Sequence, residues 1–229
     1  MAGAYNTAYR ASMPGPLGDA RAIVFDLDGT LVDSLDDIGD HLNAALGDHG
    51  FPARTRAEIR AWVGYGAENL VARAVPRPPD HVGEVLARFR ERYRERPVVK
   101  TRVYPGLDHV LDAIAPGRQL AVLSNKPNDL TVRIAAELLA RWPFAVVHGQ
   151  QAGRPHKPDP ASVLAVIAEL GVGVGECVLI GDSEVDVATA RAAGMRGVGV
   201  SWGLRDVAIV IAAGPDHLVD TPAELAALF

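Results

Sequence analysis

Residues 21–34 read "RAIVFDLDGTLVDS". An apolar run stops at two aspartates, Asp26 and Asp28, which stand two positions apart before Gly29. In extended chain, side chains at i and i+2 point to the same side, so both carboxylates aim at one spot. Carboxylates at the end of a buried segment are costly without a positive partner, and their repulsion calls for a cation. The local alternative is a strand followed by an Asp-Gly turn, in which aspartate caps its own backbone.

Outward from this stretch, short apolar runs alternate with longer helical patterns, the signature of a parallel sheet flanked by helices. Strands are expected over 21–27, 119–124, 144–148, 177–181 and 197–201, and helices over 105–115, 128–141, 160–170 and 184–193. Gly171 and Gly194 follow two of these helices as C-terminal caps. Such sheets gather ligands at the carboxyl ends of their strands, where Asp26, Ser124 and Asp182 fall. The segment 35–100 breaks the alternation. It has no strand-like run, Ser34 with Asp36 and Asp37 makes a good helix start, and Val82, Val85, Leu86, Phe89 and Tyr93 form a helical stripe. It reads as an all-helical insertion after the first strand.

The chain's 229 residues suffice for one large domain or a domain carrying an insertion. A hydrophobic content of 48% suits an ordinary α/β protein, and a net charge of −5 gives no reason to expect nucleic acid. No apolar run approaches the roughly 18 residues that span a membrane. Residues 1–20 lack the apolar core of a signal peptide and read as a flexible tail, with Met13 an alternative start. The single cysteine, Cys177, lies in the apolar run "CVLI" and fits a reducing, cytoplasmic setting. The seven histidines show no metal-ligand spacing. Twenty arginines stand against three lysines, Lys100, Lys126 and Lys157, so each lysine invites a reason. The arginines of "RFRERYRER" (88–96) are expected to spread over a solvated helix face, partly offset by Glu91 and Glu95.

Three further stretches carry chemistry. "LIGDSEVDV" (179–187) again ends an apolar strand in an acid, Asp182, with Asp186 one helical turn on. Favourable acids at a helix start would explain it locally; two strand-end acidic sites in one sheet instead fit a shared hard cation such as Mg²⁺. Asp26 and Asp182 would be its side-chain ligands and Asp28 a backbone ligand, with Asp186 behind them, holding ligand waters or orienting Lys157. "VLSNKP" (122–127) is locally a strand running into a helix cap before Pro127. Next to a metal, Ser124 and nearby backbone N–H groups could hold phosphoryl oxygens. "HKPDP" (156–160) sets Lys157 before two prolines that fix the backbone, with a compact charge able to reach a carboxylate or phosphate.

In this order the four stretches resemble the haloacid dehalogenase superfamily, specifically its phosphatases, over residues 21 to about 220. "WVGYGAENLV" (62–71), "YPGL" (104–107) and "SNKP" most resemble its phosphoglycolate phosphatases. The resemblance implies a Rossmann-like core, 21–34 and 101–229, with a small helical cap, 35–100. It implies that Asp26 attacks phosphorus, that Asp28 moves protons, and that Mg²⁺, Lys157 and Ser124 offset charge on the transferring group. Gly29, Asn125 and Lys126 complete the expected phosphate set, and Arg60, Gly64 and Gly66 of the cap form a substrate loop. The implied partner is a small phosphorylated metabolite and the implied assembly a monomer or homodimer. An inorganic pyrophosphatase, another sugar or small-metabolite phosphatase, and a β-phosphoglucomutase stay open. A phospho-accepting signalling receiver is the reading outside the enzyme class, although receivers are about half this length and lack a helical cap.

Overall fold

The computed structural model describes residues 15–78 and 80–229. Its centre is a six-stranded parallel sheet in the order β5-β4-β1-β6-β7-β8. The strands are β1 (Ala22–Phe25), β4 (Gln119–Pro127), β5 (Phe144–Gln150), β6 (Cys177–Gly181), β7 (Arg196–Val200) and β8 (His217–Val219). The first strand made is therefore the central one, paired with β4 at Ala22–Gln119 and with β6 at Ala22–Cys177. All four residues of β1 are buried, because helices cover both faces of a parallel sheet and its inner strands need apolar side chains on each side.

Ile23, Phe25, Leu120 and Val122 pack one face against α5 (Leu107–Ile114), α6 (Asn128–Leu138) and α10 (Pro222–Ala226). Ala22, Val24, Ala121 and Leu123 face α7 (Ala161–Leu170) and α8 (Glu184–Ala193). A ninth helix, α9 (Val207–Ala213), packs through Val210 on Val187 and Leu218. Gly171 and Gly194 cap α7 and α8 in the left-handed conformation expected of them.

Between β1 and β4 the chain leaves through β2 (Val32–Asp33), builds α1 (Leu35–Asp48), α2 (Arg56–Trp62), α3 (Ala67–Ala74) and α4 (Val82–Glu95), and returns through β3 (Arg102–Val103). Strands β2 and β3 pair antiparallel, so the outgoing and returning chain lie side by side. The four helices share an apolar cluster of their own, with Leu42, Leu46, Ile59, Val71, Phe89 and Tyr93, closed on the sheet side by Leu130 and Leu204. Asp37 ties α1 to the returning chain: its carboxylate accepts from the amides of Val99, Lys100 and Thr101 and from the Thr101 hydroxyl, at 2.6–3.0 Å. Burial alone would raise its pKa, but these donors win and hold it below the usual carboxylate range. On α4, Arg88 pairs with Asp48 and Glu91, Arg90 with Glu68, Arg92 with Asp48 and Arg94 with Asp129, so most of the basic run is a solvated face with acidic partners.

Two expectations need correction. Residues 17–20 are not loose tail: Leu17 and Ala20 are buried in the main core, and the Leu17 amide donates to the Leu228 carbonyl at 2.5 Å. The expected tail over 1–14, with Met13, lies outside the described residues. Ser34 precedes α1 but does not cap it with its side chain. Its hydroxyl goes to Asp28 instead, and the Asp33 carboxylate accepts from the Leu35 amide at 3.3 Å.

Candidate active site

The carboxyl ends of β1, β4 and β6 meet beneath the helical segment. Asp26 follows directly on β1, its amide still donating across the sheet to the Ile180 carbonyl at 2.9 Å. Lys157, whose side chain is 3% exposed, reaches it from the loop before α7. The Lys157 ammonium donates to Asp26 Oδ1 at 2.8 Å, Asp186 Oδ1 at 2.6 Å and the Leu123 carbonyl at 2.9 Å, so its three donors are all used. Burial opposes its charge, yet Asp186 and Asp26 together raise its pKa above the ordinary lysine value.

Asp186 is engaged at both oxygens. Oδ1 accepts from Lys157, and Oδ2 accepts from the Ser183 amide and hydroxyl in the capping box that starts α8. Its bond from Lys157 supports the expected role of orienting that lysine. One oxygen each from Asp26, Asp182 and Asp186 lies within 4.8 Å of the others, in a buried cluster. Burial, then the neighbouring acids, push Asp182 up to about 8, against the amides of Leu204 and Arg205 that donate to its Oδ2 at 2.6 and 3.3 Å. Asp26 is pushed up to about 7, again by burial first; Lys157 pulls it down and Asp186 adds to the rise. Two carboxylates that share a buried spot and resist joint ionisation are the donor set a hard cation relieves. The oxygens left for it are Asp26 Oδ2 and Asp182 Oδ1, which make no hydrogen bond among the described residues.

Asp28 lines the same cavity as Asp26. Lys126, at the end of β4, donates to both of its oxygens at 3.0 Å, and Ser34 donates to Oδ1 at 2.5 Å. The Lys126 ammonium also lies 4.6 Å from the ring centroid of Tyr93 on α4. Burial works against the Lys126 charge, but the Asp28 carboxylate raises its pKa above the usual value. Gly29, at φ 91°, turns the chain where a Cβ would collide with the Asp182 carboxylate; the close approach it permits is to that acid.

A cavity of about 520 Å³, including its opening to solvent, sits over these groups. Asp26, Asp28, Ser124 and Lys126 line its floor, while Val63, Gly64, Gly66, Leu70 and Phe89 line its upper wall. Ser124 thus faces the space as expected. Asn125 also lines it, but its amide braces the loop: Nδ2 donates to the Gly64 and Lys157 carbonyls, and Oδ1 accepts from the Lys157 amide. Arg60 is a correction. Its guanidinium does not line this cavity; it donates to the carbonyls of Leu204 at 2.6 Å and Gly203 at 3.2 Å.

Sequence reading misses the contacts that seat the helices on the sheet. Arg205 donates to the Ala61 and Val63 carbonyls at 3.0 Å, stands 2.8 Å from Glu184, and lies 5.2 Å from the Tyr65 ring centroid. The Tyr65 hydroxyl donates to Glu184. Tyr65 lies within "WVGYGAENLV", and Arg205 follows the carboxyl end of an expected strand, where such sheets place functional groups. The roles of Ser34 and Tyr93 at Asp28 have no signal beyond their places in a helix start and an apolar stripe.

The model for haloacid dehalogenase-like hydrolases matches residues 23–200. The chain belongs to that family. A phosphoglycolate phosphatase of Rhodospirillum rubrum is 38% identical over 193 residues, 80% of each chain. One of Pseudomonas syringae pv. tomato is 34% identical over 208 residues, covering 87% of this chain and 76% of its own. A crystal structure from Lactobacillus delbrueckii subsp. bulgaricus, 32% identical, superposes with a TM-score of 0.83 over 90% of this chain and 96% of that one. Within the family this chain is a phosphatase, which sets the receiver reading aside. No helix among the described residues is long and apolar enough to cross a membrane.

Proposed function

We propose that this phosphatase hydrolyses 2-phosphoglycolate to glycolate and phosphate through a phosphoaspartate at Asp26. One observation carries the reading: the two buried lysines are divided between the two aspartates, Lys157 on Asp26 and Lys126 on Asp28, at the floor of one cavity. Lys157 orients Asp26 by donating to Oδ1, and a carboxylate oxygen of Asp26 attacks phosphorus. As that oxygen–phosphorus bond forms, the bond to the leaving oxygen breaks, and Asp28, which enters the step in its protonated form, gives that oxygen its proton. Asp28, now a carboxylate, takes a proton from the water that cleaves the phosphoaspartate and so returns to its starting state. Asp26, Asp182 and the Asp28 backbone oxygen would hold Mg²⁺, which would supply positive charge to offset that of the transferring group. Ser124 and its neighbouring amides hold the phosphoryl oxygens.

The helical segment 35–100 is read as a cap over a core of 21–34 and 101–229. It excludes phosphoproteins and leaves room for a small leaving group. The amino end of α3, with Gly66 as a cap that offers no side chain, lines the cavity. Its first amides are available to an anion such as the glycolate carboxylate. The apolar remainder of the wall suits neither pyrophosphate nor a sugar. The names of the relatives favour the same substrate. A single buried cysteine fits a cytoplasmic setting, and the site is built from one copy of the chain, as a monomer or either half of a homodimer would present it.

Phosphate release from a panel of esters tests this. 2-Phosphoglycolate is expected to show a higher kcat/KM than ethyl phosphate, pyrophosphate or glucose phosphates. Chelation should abolish turnover and Mg²⁺ restore it, and Asp26→Asn should remove both turnover and the phosphoenzyme. Pyrophosphate winning the comparison would overturn the substrate; full activity in excess chelator would overturn the metal ligands.

A further inference from the structure

Lys126 is expected from its sequence to touch phosphate, and the structure gives it other work. An ammonium has three donors. Two meet the oxygens of Asp28 at 3.0 Å, and the ring of Tyr93 covers the third side at 4.6 Å to its centroid. The lysine side chain is only 4% exposed, so water does not compete for it. Both of its partners are held in turn. Ser34 fixes Asp28 Oδ1 from the start of α1. Tyr93 is wedged between His41, at 4.9 Å between ring centroids, and Phe89, at 5.6 Å. The lysine backbone is pinned as well, its amide donating to Ser124 Oγ at 3.2 Å and its carbonyl accepting from Thr131 Oγ1 at 3.2 Å.

We infer that Lys126, backed by Tyr93, is a positioning residue for Asp28: it fixes the carboxyl that hands a proton to the leaving group, and contacts neither the phosphoryl group nor the substrate carboxylate. Tyr93 belongs to the helical segment, whereas Ser34, Asp28 and Lys126 belong to the core. The cap therefore adds the Tyr93 ring to a Lys126–Asp28–Ser34 arrangement that the core itself holds. The inference rests on Asp28 acting as general acid, as proposed above.

The test uses leaving groups. An alkyl phosphate expels an alkoxide that needs a proton, whereas 4-nitrophenyl phosphate expels a phenolate that does not. The kcat/KM reports steps only through departure of that group, so it isolates the proton transfer. It is measured for 2-phosphoglycolate, ethyl phosphate and 4-nitrophenyl phosphate in wild type, Asp28→Asn, Lys126→Met and Lys126→Arg. Asp28→Asn should lose roughly 10²–10⁴ on both alkyl esters and far less on the aryl ester. Lys126→Met should follow the same pattern with a loss of about 10²-fold, the cost of a misplaced group. Lys126→Arg should recover part of the loss on the alkyl esters. If Lys126→Met does not fold, Lys126→Gln is read in the same way. Equal losses on all three esters would make Lys126 a phosphoryl contact and overturn the inference. A loss confined to 2-phosphoglycolate would make it a carboxylate contact and overturn it as well. If Asp28→Asn shows no preference between leaving groups, the general-acid reading fails and the inference falls with it; if Asp28→Asn shows the preference and Lys126→Met does not, the inference alone fails.

Discussion

Lys157 spends its three donors on Asp26, Asp186 and the Leu123 carbonyl, all within 2.9 Å. A planar guanidinium cannot point three donors in those three directions, and the buried site has no room for its longer fork. Lys157→Arg should therefore lose activity by a factor of about 10² or more, with its circular dichroism and cooperative unfolding retained. Wild-type rates would show that charge alone suffices there. The scarcity of lysine makes this residue legible in the sequence: in a chain that otherwise uses arginine, Lys157 and Lys126 are the two buried cations of their kind, and Lys100 pairs with Asp40 on the surface. What scarcity cannot reveal is which carboxylate each lysine meets. That depends on the pairing of β1 with β4, which places the two chain segments side by side. The family resemblance accordingly names Lys126 but not its partner Asp28, and Arg60, named by the same resemblance, holds backbone carbonyls.

The elements most visible in sequence are those with a long hydrophobic period. Strands β1, β4, β5, β6 and β7 fall within two or three residues of where the apolar runs put them. Strands of two residues, β2 and β3, carry no period to read, yet they set where the helical segment leaves and returns. The end of β4 extends past the expected 124 to Pro127 because it stays paired with β5, at Pro127–Gln150, beyond an irregularity in register. Gly149 sits at that irregularity. A Cβ there would lie 2.5 Å from the Lys126 carbonyl oxygen and 2.7 Å from the Asn128 Cα, and would also strike Thr131 Oγ1. Backbone atoms cannot swing aside, so Gly149→Ala must push β4 away from β5. A loss of about 1–3 kcal/mol is expected from the denaturant midpoint, with a fall in activity larger than the loss of stability explains, since Lys126 moves too. At the hinge, Asp37→Asn should cost about 1.5–3 kcal/mol, because a charged acceptor of four donors is replaced by an amide. The Asp37 pKa is lowered on folding, so its contribution is full above the unfolded value and is lost as pH falls through the folded one. The difference in stability between wild type and Asp37→Asn should therefore shrink in acid.

Across the whole molecule, sheet and helical segment exchange arginines. Arg60 of the segment grips the carbonyls of Gly203 and Leu204, and Arg205 of the core grips those of Ala61 and Val63. Arg205→Ala removes its ion pair with Glu184 and its stacking on Tyr65 together with those carbonyl bonds. It should lower kcat/KM for a small ester by roughly tenfold, equivalent to about 1.4 kcal/mol, mostly through KM, and speed hydrogen exchange over residues 63–70. An unchanged KM would mean that the segment is seated by its apolar contacts alone. The order of strands in the sheet also bears on how the chain is made. On the ribosome β1 appears first, but its neighbours are Gln119 onward and Cys177 onward. The helical segment is complete in sequence before β4 begins, and its contacts are local, so it can gather during that interval. The central strand meanwhile waits with both edges bare. Nascent chains halted before β4 should thus be the species that chaperones hold, while those halted after β6 should not.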